Sequence, residues 1–415
     1  MSNSPSAADP PAPATSGRLP SPPPPGRGPD ALPGPLPDSV CPVDGTRVPA
    51  ASLDWCCPRC RGPLDLDFHG RPADLDALTG RVNSLWRYAE TLPLAAPAVS
   101  LGEGRTPLVA LTDTVSAKLD FLMPTLSFKD RGAVLLAELA RRLGPERVLA
   151  DSSGNAGTAI AAYCARAGLP CTVYVPAATS PKKLEQIAAH GARLETVDGD
   201  RQATALAARA AADAPGTFYA SHVHNPYFLH GTKTYVHELW EDLGGHLPER
   251  LVVPVGNGTL LLGAALALTE LHTAGLLPRR PRLIAVQSAA VAPLARAWQE
   301  GAEDLLDDTP ASPTLAEGIA IPRPPRARQI LRAVRESGGE FRTVTEPQIR
   351  TAQRDLATRG FYVETTGVAC WAAVREEEAG ASTVVPLCGA GVKTGVGGCR
   401  GAGLGFLPRP HCFLA

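Results

Sequence analysis

Short apolar runs alternate with amphipathic stretches through most of this chain, and that alternation constrains the fold more than any other feature. From about Phe128 onward, "RVLA", "CTVYVPA", "RLETVDG", "RLVVPV", "RLIAVQSA" and "STVVPL" read as strands. Between them lie helical periods, among them "DRGAVLLAELARRLG", "NAGTAIAAYCARAGL", "SPKKLEQIAAHGA", "RQATALAARAAADA" and "TLLLGAALALTEL". Consecutive parallel strands need a helical crossover to bring the chain back, so the pattern predicts an α/β fold of parallel-rich sheets flanked by helices. The punctuation agrees. Gly144 and Pro145 stop the first helix, and Ser180 followed by Pro181 opens a later one. With 415 residues, 44% of them apolar, the chain can bury one large two-lobed domain or two ordinary ones.

The flanking segments differ in composition. Residues 1–39 are rich in proline and nearly free of aromatic and β-branched residues. Such a stretch cannot bury enough apolar surface to offset the entropy of ordering, so it is expected to be a disordered tail with local polyproline II character. Its start lacks the basic-then-apolar layout of a secretory signal. No run is long and apolar enough to span a bilayer; "LLLGAALALTELHTAGLL" carries Thr, Glu and His and reads as a buried helix. A net charge of −1 offers no basic field for nucleic acid or an anionic membrane. Ten unevenly spaced cysteines fit reduced thiols in a cytoplasmic protein.

Residues 40–70 hold Cys41, Cys56, Cys57 and Cys60. Cys57-Pro-Arg-Cys60 is a CxxC knuckle, and Cys41 opens a similar one, "CPVD", with Asp44 at the second ligand position. Cys41, Asp44, Cys57 and Cys60 would suit a structural zinc, and Cys56 or His69 could also complete the set. The competing reading is a ribbon that keeps its hairpin and has lost the metal. A redox role is not expected, because this CxxC lies outside a thioredoxin-like βαβ context.

Three strands run into small-residue turns. "LADSSGNAG" ends a strand and starts a helix near Asn155, where free N–H groups and the Ser152 and Ser153 hydroxyls would suit a carboxylate. "VVPVGNGT" repeats the logic: Gly256, Asn257, Gly258 and Thr259 let a phosphate approach the backbone closely. "VPLCGAGVK" is the third, with Cys388 ending the strand. The first also reads as an ordinary capped turn, and Cys388 as a small buried hydrophobe. In α/β proteins ligands bind outside the carboxyl ends of strands, so these turns converge on a crevice. Lys129, in "PTLSFKDRGA", then becomes a candidate Schiff-base lysine rather than a solvated surface charge.

These pieces together resemble the fold type II (tryptophan synthase β-like) pyridoxal-phosphate enzymes. "PTLSFKDRG" is similar to the group's PTGSFKDRG, "SSGNAG" to its S-x-G-N loop, "GNGT" to its phosphate loop, and "CGAGVK" to its closing [ST]-G-x-G-x-K segment. "LGEGRTPL", "NPYFLHGTKTYVHEL", "LAEGIAIP" and "GFYVETTGVACWAA" narrow the likeness to the threonine synthase-like branch. The resemblance implies a two-lobed catalytic domain over residues 75–405, with a smaller lobe near 135–240 that closes over substrate. It also implies a zinc-ribbon-like segment before that domain, and a homodimer. It implies that Lys129 carries pyridoxal 5'-phosphate and Phe128 flanks its ring. Asn155 would bond the ring hydroxyl and Cys388 would face the pyridine nitrogen. Gly256, Asn257, Gly258 and Thr259 would cradle the phosphate. Ser152, Ser153 and Gly154, with Ala156 and Phe228 beside them, would contact an amino-acid substrate.

The chain departs from that pattern at three places. Phe228 stands where the resemblance expects an arginine that grips the phosphate of O-phosphohomoserine, and a phenyl ring cannot neutralise a dianion. Ala156 replaces a threonine, and Leu126 replaces a glycine. His222, His224 or Lys233 could supply the missing positive charge, or the histidines could be structural. The leading expectation is a lyase that makes threonine from O-phosphohomoserine and water. The alternatives are a serine/threonine dehydratase or β-replacing synthase, and a non-catalytic amino-acid- or cofactor-binding regulator.

Overall fold

The computed structural model describes residues 35–94, 97–307, 311–376 and 380–393, without the side chains of Lys182 and Lys183. Most of the expected disordered tail therefore lies outside the described residues.

Three sheets organise the chain. The first is a small antiparallel ribbon of β1 (Ser39–Val40), β2 (Arg47–Val48) and β3 (Asp65–Leu66), in the order β2-β1-β3. After helix α1 (Leu75–Leu78) comes an antiparallel pair, β4 (Leu108–Ala110) and β5 (Val115–Lys118), and then helix α2 (Asp130–Leu143). Gly144 closes α2 in the left-handed conformation, as its position after the periodic run predicts.

A four-stranded parallel sheet follows. It consists of β6 (Arg147–Ala150), β7 (Cys171–Pro176), β8 (Arg193–Val197) and β9 (Thr217–Tyr219), ordered β8-β7-β6-β9. Its crossovers are α3 (Asn155–Ala167), α4 (Pro181–Ala189) and α5 (Arg201–Ala212). Helices α6 (Tyr227–Thr232) and α7 (Thr234–Asp242) return the chain to the second lobe. There β10 (Arg250–Pro254), α8 (Thr259–Thr273), β11 (Arg282–Ser288), α9 (Pro293–Gln299), α10 (Ala327–Glu336), β12 (Glu340–Val344), α11 (Glu346–Thr358), α12 (Thr365–Ala372) and β13 (Thr383–Pro386) complete the third sheet. Its order is β12-β11-β10-β13-β5-β4, parallel except at β4.

The strands that sit deepest are the ones written without polar interruption. Every residue of β10 and β13 is buried, because helices cover both faces of that sheet. Helix α8 is apolar nearly all round because it is enclosed: Leu260, Leu261, Leu268 and Leu271 join the core with Tyr235, Leu239, Ile330 and Leu331. No helix among the described residues is long and apolar enough to cross a membrane.

A buried charge network fixes α2 against the second lobe. Arg131, fully buried, pairs with Asp120 at 2.8 Å and Glu238 at 2.6 Å, and Lys118 reaches Glu238 at 3.1 Å and Asp242 at 2.7 Å. Removing any one of these charges would leave its partner buried and uncompensated. The network therefore holds the residue before Asp130, which is Lys129, in one place.

Candidate active site

A cleft of about 1070 Å³ lies between the two larger sheets, and the carboxyl-end turns of β6, β10 and β13 all open into it. Lys129, Phe128, Ser152, Ser153, Gly154, Asn155, Ala156, Gly256, Asn257, Gly258, Thr259 and Cys388 line it. Residues more than two hundred positions apart meet because β13 is the hydrogen-bonded neighbour of β5, the strand that precedes Lys129.

Lys129 is placed by a backbone clamp. Phe128 N–H donates to Cys388 O at 2.9 Å, and Ala390 N–H donates to Leu126 O at 3.0 Å. Leu126 adopts the left-handed conformation, φ 63°, at the position where the resemblance expects glycine. A side chain with a Cβ costs roughly 1–2 kcal/mol there, so the turn before Lys129 is strained and held by the clamp. Just after it, the buried Asp130 carboxylate accepts from Thr125 N–H at 2.7 Å and from the Thr125 hydroxyl, which pins the start of α2. Burial pushes the Asp130 carboxyl up to about 7.

The Lys129 Nζ sits on the cleft floor, half-buried, 3.5 Å from Thr259 Oγ1 and 4.6 Å from the centre of the Phe128 ring. Among the described residues it has no carboxylate at ion-pair distance. Desolvation, and then the Arg201 charge, lower it to about 7 against a weak opposing influence of Cys388. A substantial fraction of the amine is thus unprotonated and nucleophilic near neutral pH.

The two helix-opening turns offer complementary anion sites. Gly258 has φ +73°, and a Cβ on it would come within 2.3 Å of Ile330 Cδ1. Among the described residues, none of the N–H groups of Gly256, Asn257, Gly258 and Thr259 donates a hydrogen bond, so all four remain free at the start of α8. In the other turn a Cβ on Gly157 would lie 1.7 Å from Ser152 O, so only glycine lets that loop fold over the start of α3. The Asn155 Nδ2 donates to Glu364 Oε2 at 2.7 Å. The amide has a second N–H, which stays available for a ligand. Burial keeps the Cys388 thiol protonated; it donates weakly to Pro386 O at 3.8 Å.

The three side chains considered for the missing positive charge do not supply it. His222 does line the cleft, but burial, then the charges of Lys129 and Arg201, hold it far below its usual range and therefore neutral. His224 faces away, its ring 5.1 Å from that of Trp55, and burial lowers it to about 3. Lys233 lies outside the cleft lining, paired with Glu270 at 2.6 Å and His230 Nδ1 at 3.0 Å. Phe228 is also not a wall residue. It is fully buried one layer behind Lys129, its ring centre 5.4 Å from Nζ, and it fills the space that a Cβ on Gly132 would need. Its side chain shapes the floor through Gly132 and His222 rather than by touching a substrate.

Sequence reasoning passed over Arg201, Glu364, Arg350 and Lys393, all of which line the cleft. Glu364 stands inside "GFYVETTG", where a lone acid among small residues was a usable signal. Nothing local marks Arg201, the first residue of an otherwise alanine-rich helix.

In the N-terminal ribbon, Cys41, Asp44, Cys57 and Cys60 bring their donor atoms within 4.8 Å of one another. The Cys41 and Cys60 sulfurs are 3.5 Å apart. The N–H groups of Val43 and Gly62 point at the Cys41 and Cys60 sulfurs from 3.4 Å, and those of Arg59 and Cys60 at Cys57 from 3.4 and 3.5 Å. Such bonds favour thiolates, so this donor set fits a four-coordinate metal. Cys56 is excluded from it, packed instead with Trp55, Leu149 and Tyr219, and His69 is not among the clustered donors.

Residues 99–389 match the protein family described as "Pyridoxal-phosphate dependent enzyme". The chain belongs to that family. Within it the relatives point to the threonine synthase-like branch of lyases. A threonine synthase from Methanosarcina acetivorans is 32% identical over 334 residues, covering 78% of this chain and 82% of that protein. One from Mycobacterium leprae is 34% identical over 295 residues, covering 68% and 79%. Among solved structures, a T.th. threonine deaminase is 28% identical with a TM-score of 0.59, covering 69% of this chain and 92% of that one. Maize serine racemase, 20% identical with a TM-score of 0.60 over 69% and 88%, shares the fold. The chain is therefore a pyridoxal-phosphate-dependent enzyme that acts on a small-molecule amino-acid substrate, and a retired, purely cofactor-binding regulator is not favoured.

Proposed function

We propose that this enzyme converts O-phosphohomoserine and water into threonine and inorganic phosphate. The observation that carries the reading is Lys129. It is a lysine lowered to about 7, set between two helix starts; among the described residues it has no acid partner and one of those helix starts keeps four backbone N–H groups free. Relatives named threonine synthase, 32% and 34% identical, support the reaction class.

Pyridoxal phosphate, when bound, supplies the electron sink that weakens bonds at the substrate's α and β carbons. The residues present fit it. Lys129 Nζ would hold it covalently and then move protons between substrate carbons. Gly256, Asn257, Gly258 and Thr259 would take its phosphate on their free N–H groups, and Phe128 would flank the ring. Asn155 would bond the ring hydroxyl, with Glu364 orienting the amide. Cys388, a thiol, would leave the ring nitrogen unprotonated. Ser152, Ser153, Gly154 and Ala156 would receive the substrate carboxylate at the start of α3. Closure of the smaller lobe, about residues 135–240, would exclude water from the reaction.

The same reading places structural zinc on Cys41, Asp44, Cys57 and Cys60, and takes the enzyme to be a cytoplasmic homodimer. Metal content of the purified protein and its mass in solution test the first two points. The decisive assay gives O-phosphohomoserine to the holoenzyme and quantifies phosphate and threonine together. Equal release of both is expected. Ammonia and a keto acid from serine or threonine, with no turnover of O-phosphohomoserine, would replace this reading with a dehydratase.

A further inference from the structure

The enzyme reading leaves one physical question open. A substrate phosphate monoester needs a cation, and Phe228 offers none. The buried histidines are neutral and Lys233 is committed to Glu270. Among the described residues, the remaining cations that line the cleft are Lys129, Lys393, Arg201 and Arg350. Lys129 is reserved for the cofactor. Lys393 donates to Thr125 O at 2.9 Å and feels the charges of Glu364 and Asp130.

Arg201 differs from both. It is the first residue of α5, directly after the N-cap Asp200, whose side chain accepts from Ala203 N–H at 2.9 Å. The cap fixes the helix start without using the guanidinium. Thr204, one turn on, lines the cleft as well, so this face of α5 is turned to the cavity. Among the described residues Arg201 makes no hydrogen bond or ion pair and is exposed. It shares the cleft lining with Lys129, Asp151 at the end of β6 and His222, and its charge is felt by all three. An unspent guanidinium in the same cleft as the reactive lysine and the carboxylate turn has the fork geometry that phosphate takes best. Among the described residues Arg350 has no partner either, but it sits on α11 one turn from Glu346, and its charge does not figure among those acting on Lys129.

We propose that Arg201 is the anion anchor that recognises the phosphate of an amino-acid phosphate monoester, replacing from the smaller lobe the cation absent at position 228. It is thus a specificity-determining residue for the reaction proposed above, and the inference rests on that reading. Because Arg201 rides on α5, it would engage the substrate phosphate from the side opposite the six-stranded sheet.

The test uses cofactor-loaded full-length protein, so that the cofactor phosphate site is filled. Binding of inorganic phosphate is measured by calorimetry at constant ionic strength for wild type, Arg201→Gln, Arg201→Lys and Arg350→Gln. Separately, KM and kcat are measured for O-phosphohomoserine. Arg201→Gln is expected to weaken phosphate binding and raise KM by roughly ten- to a hundredfold, with kcat changed much less. Arg201→Lys should recover part of the loss, and Arg350→Gln should match wild type in phosphate binding. Phosphate binding unchanged by Arg201→Gln, or lost on Arg350→Gln instead, overturns the anchor. Wild type that fails to bind inorganic phosphate overturns it too. No turnover of O-phosphohomoserine by wild type that still binds phosphate through Arg201 rejects the reaction and leaves the anchor standing.

Discussion

Lys129 and Lys233 are two lysines surrounded by protein, and the difference between their settings explains why one can be a nucleophile and the other a strut. Lys233 is fully buried and carries its own counter-charge, Glu270, at 2.6 Å, with the neutral His230 ring accepting at 3.0 Å. Burial lowers it only to about 8, because Glu270 opposes the shift. Glu270 in turn would be raised by burial, but the His237 ring at 3.4 Å and the Lys233 charge outweigh that and hold it near 2. The pair is locked together. Lys129 meets burial and the repulsion of Arg201, with aromatic faces for neighbours, and falls to about 7. Desolvation without an acid partner makes a reactive amine; desolvation with one makes a cross-link between α6–α7 and α8.

Exchanging the roles is the sharpest way to break this contrast. Lys129→Ala should abolish the visible absorbance of lysine-bound cofactor and lower turnover by roughly 10²-fold or more, while thermal unfolding shows no loss of stability. Lys233→Ala should do the opposite. Leaving Glu270 buried without its cation costs roughly 3–5 kcal/mol in denaturant titration, yet whatever folds should still capture the cofactor. If Lys233→Ala lost the cofactor band while remaining folded, the division of labour would be wrong.

The pH dependence sharpens it further. The Lys129 amine is protonated below about 7 and free above it. The rate at which apoprotein captures added pyridoxal phosphate should therefore rise as pH passes upward through about 7 and then level off. The folded lysine is the weaker base, so the unfolded chain binds more protons between about 7 and the ordinary lysine range near 10.4. The cost of burying Lys129 is thus fully present below about pH 7 and fades as pH rises, and a Lys129→Met variant should gain stability most on the acid side. A flat capture rate between pH 6 and 9, read by stopped-flow absorbance, would remove the premise.

Two smaller tests address the frame around Lys129. Gly258→Ala forces a Cβ at φ +73° against Ile330, a penalty of roughly 1–2 kcal/mol, and should loosen the cofactor several-fold in equilibrium dialysis. Leu126→Gly relieves left-handed strain but gives up side-chain burial and adds backbone entropy in the unfolded chain. Its stability should move by less than about 1 kcal/mol.

Much of the fold was legible because local rules and global packing agree. The unbroken apolar strands, the Gly144 stop and the Gly256–Thr259 turn all announce themselves in a few consecutive residues. The lysine was legible for the same reason, since its neighbours make a poor surface segment. The position of Phe228 was not. It was read as a pocket wall, and it is a buried spacer, because whether a phenyl ring faces a cleft or a helix depends on Gly132 nearly a hundred residues earlier. His222 and His224 read either as charge donors or as structural residues, and burial makes both neutral. Arg326 was unremarkable in sequence, yet its buried guanidinium bonds Asp65, Leu64 O and Val223 O, tying the cysteine-bearing ribbon to the loop that carries His222.

The residues in order were sufficient to specify a parallel α/β enzyme, its lysine and its small-residue turns, because each of these is a property of a short window: a period, a cap, a residue without a Cβ. Which charges survive inside the cleft is a property of the assembled protein. Lys233 is spent on Glu270, His222 is neutral and Arg201 is without a partner among the described residues only because chain segments far apart in sequence settle beside one another and share or withhold solvent. Ionisation depends on that surrounding medium, and the medium exists only once the chain has folded.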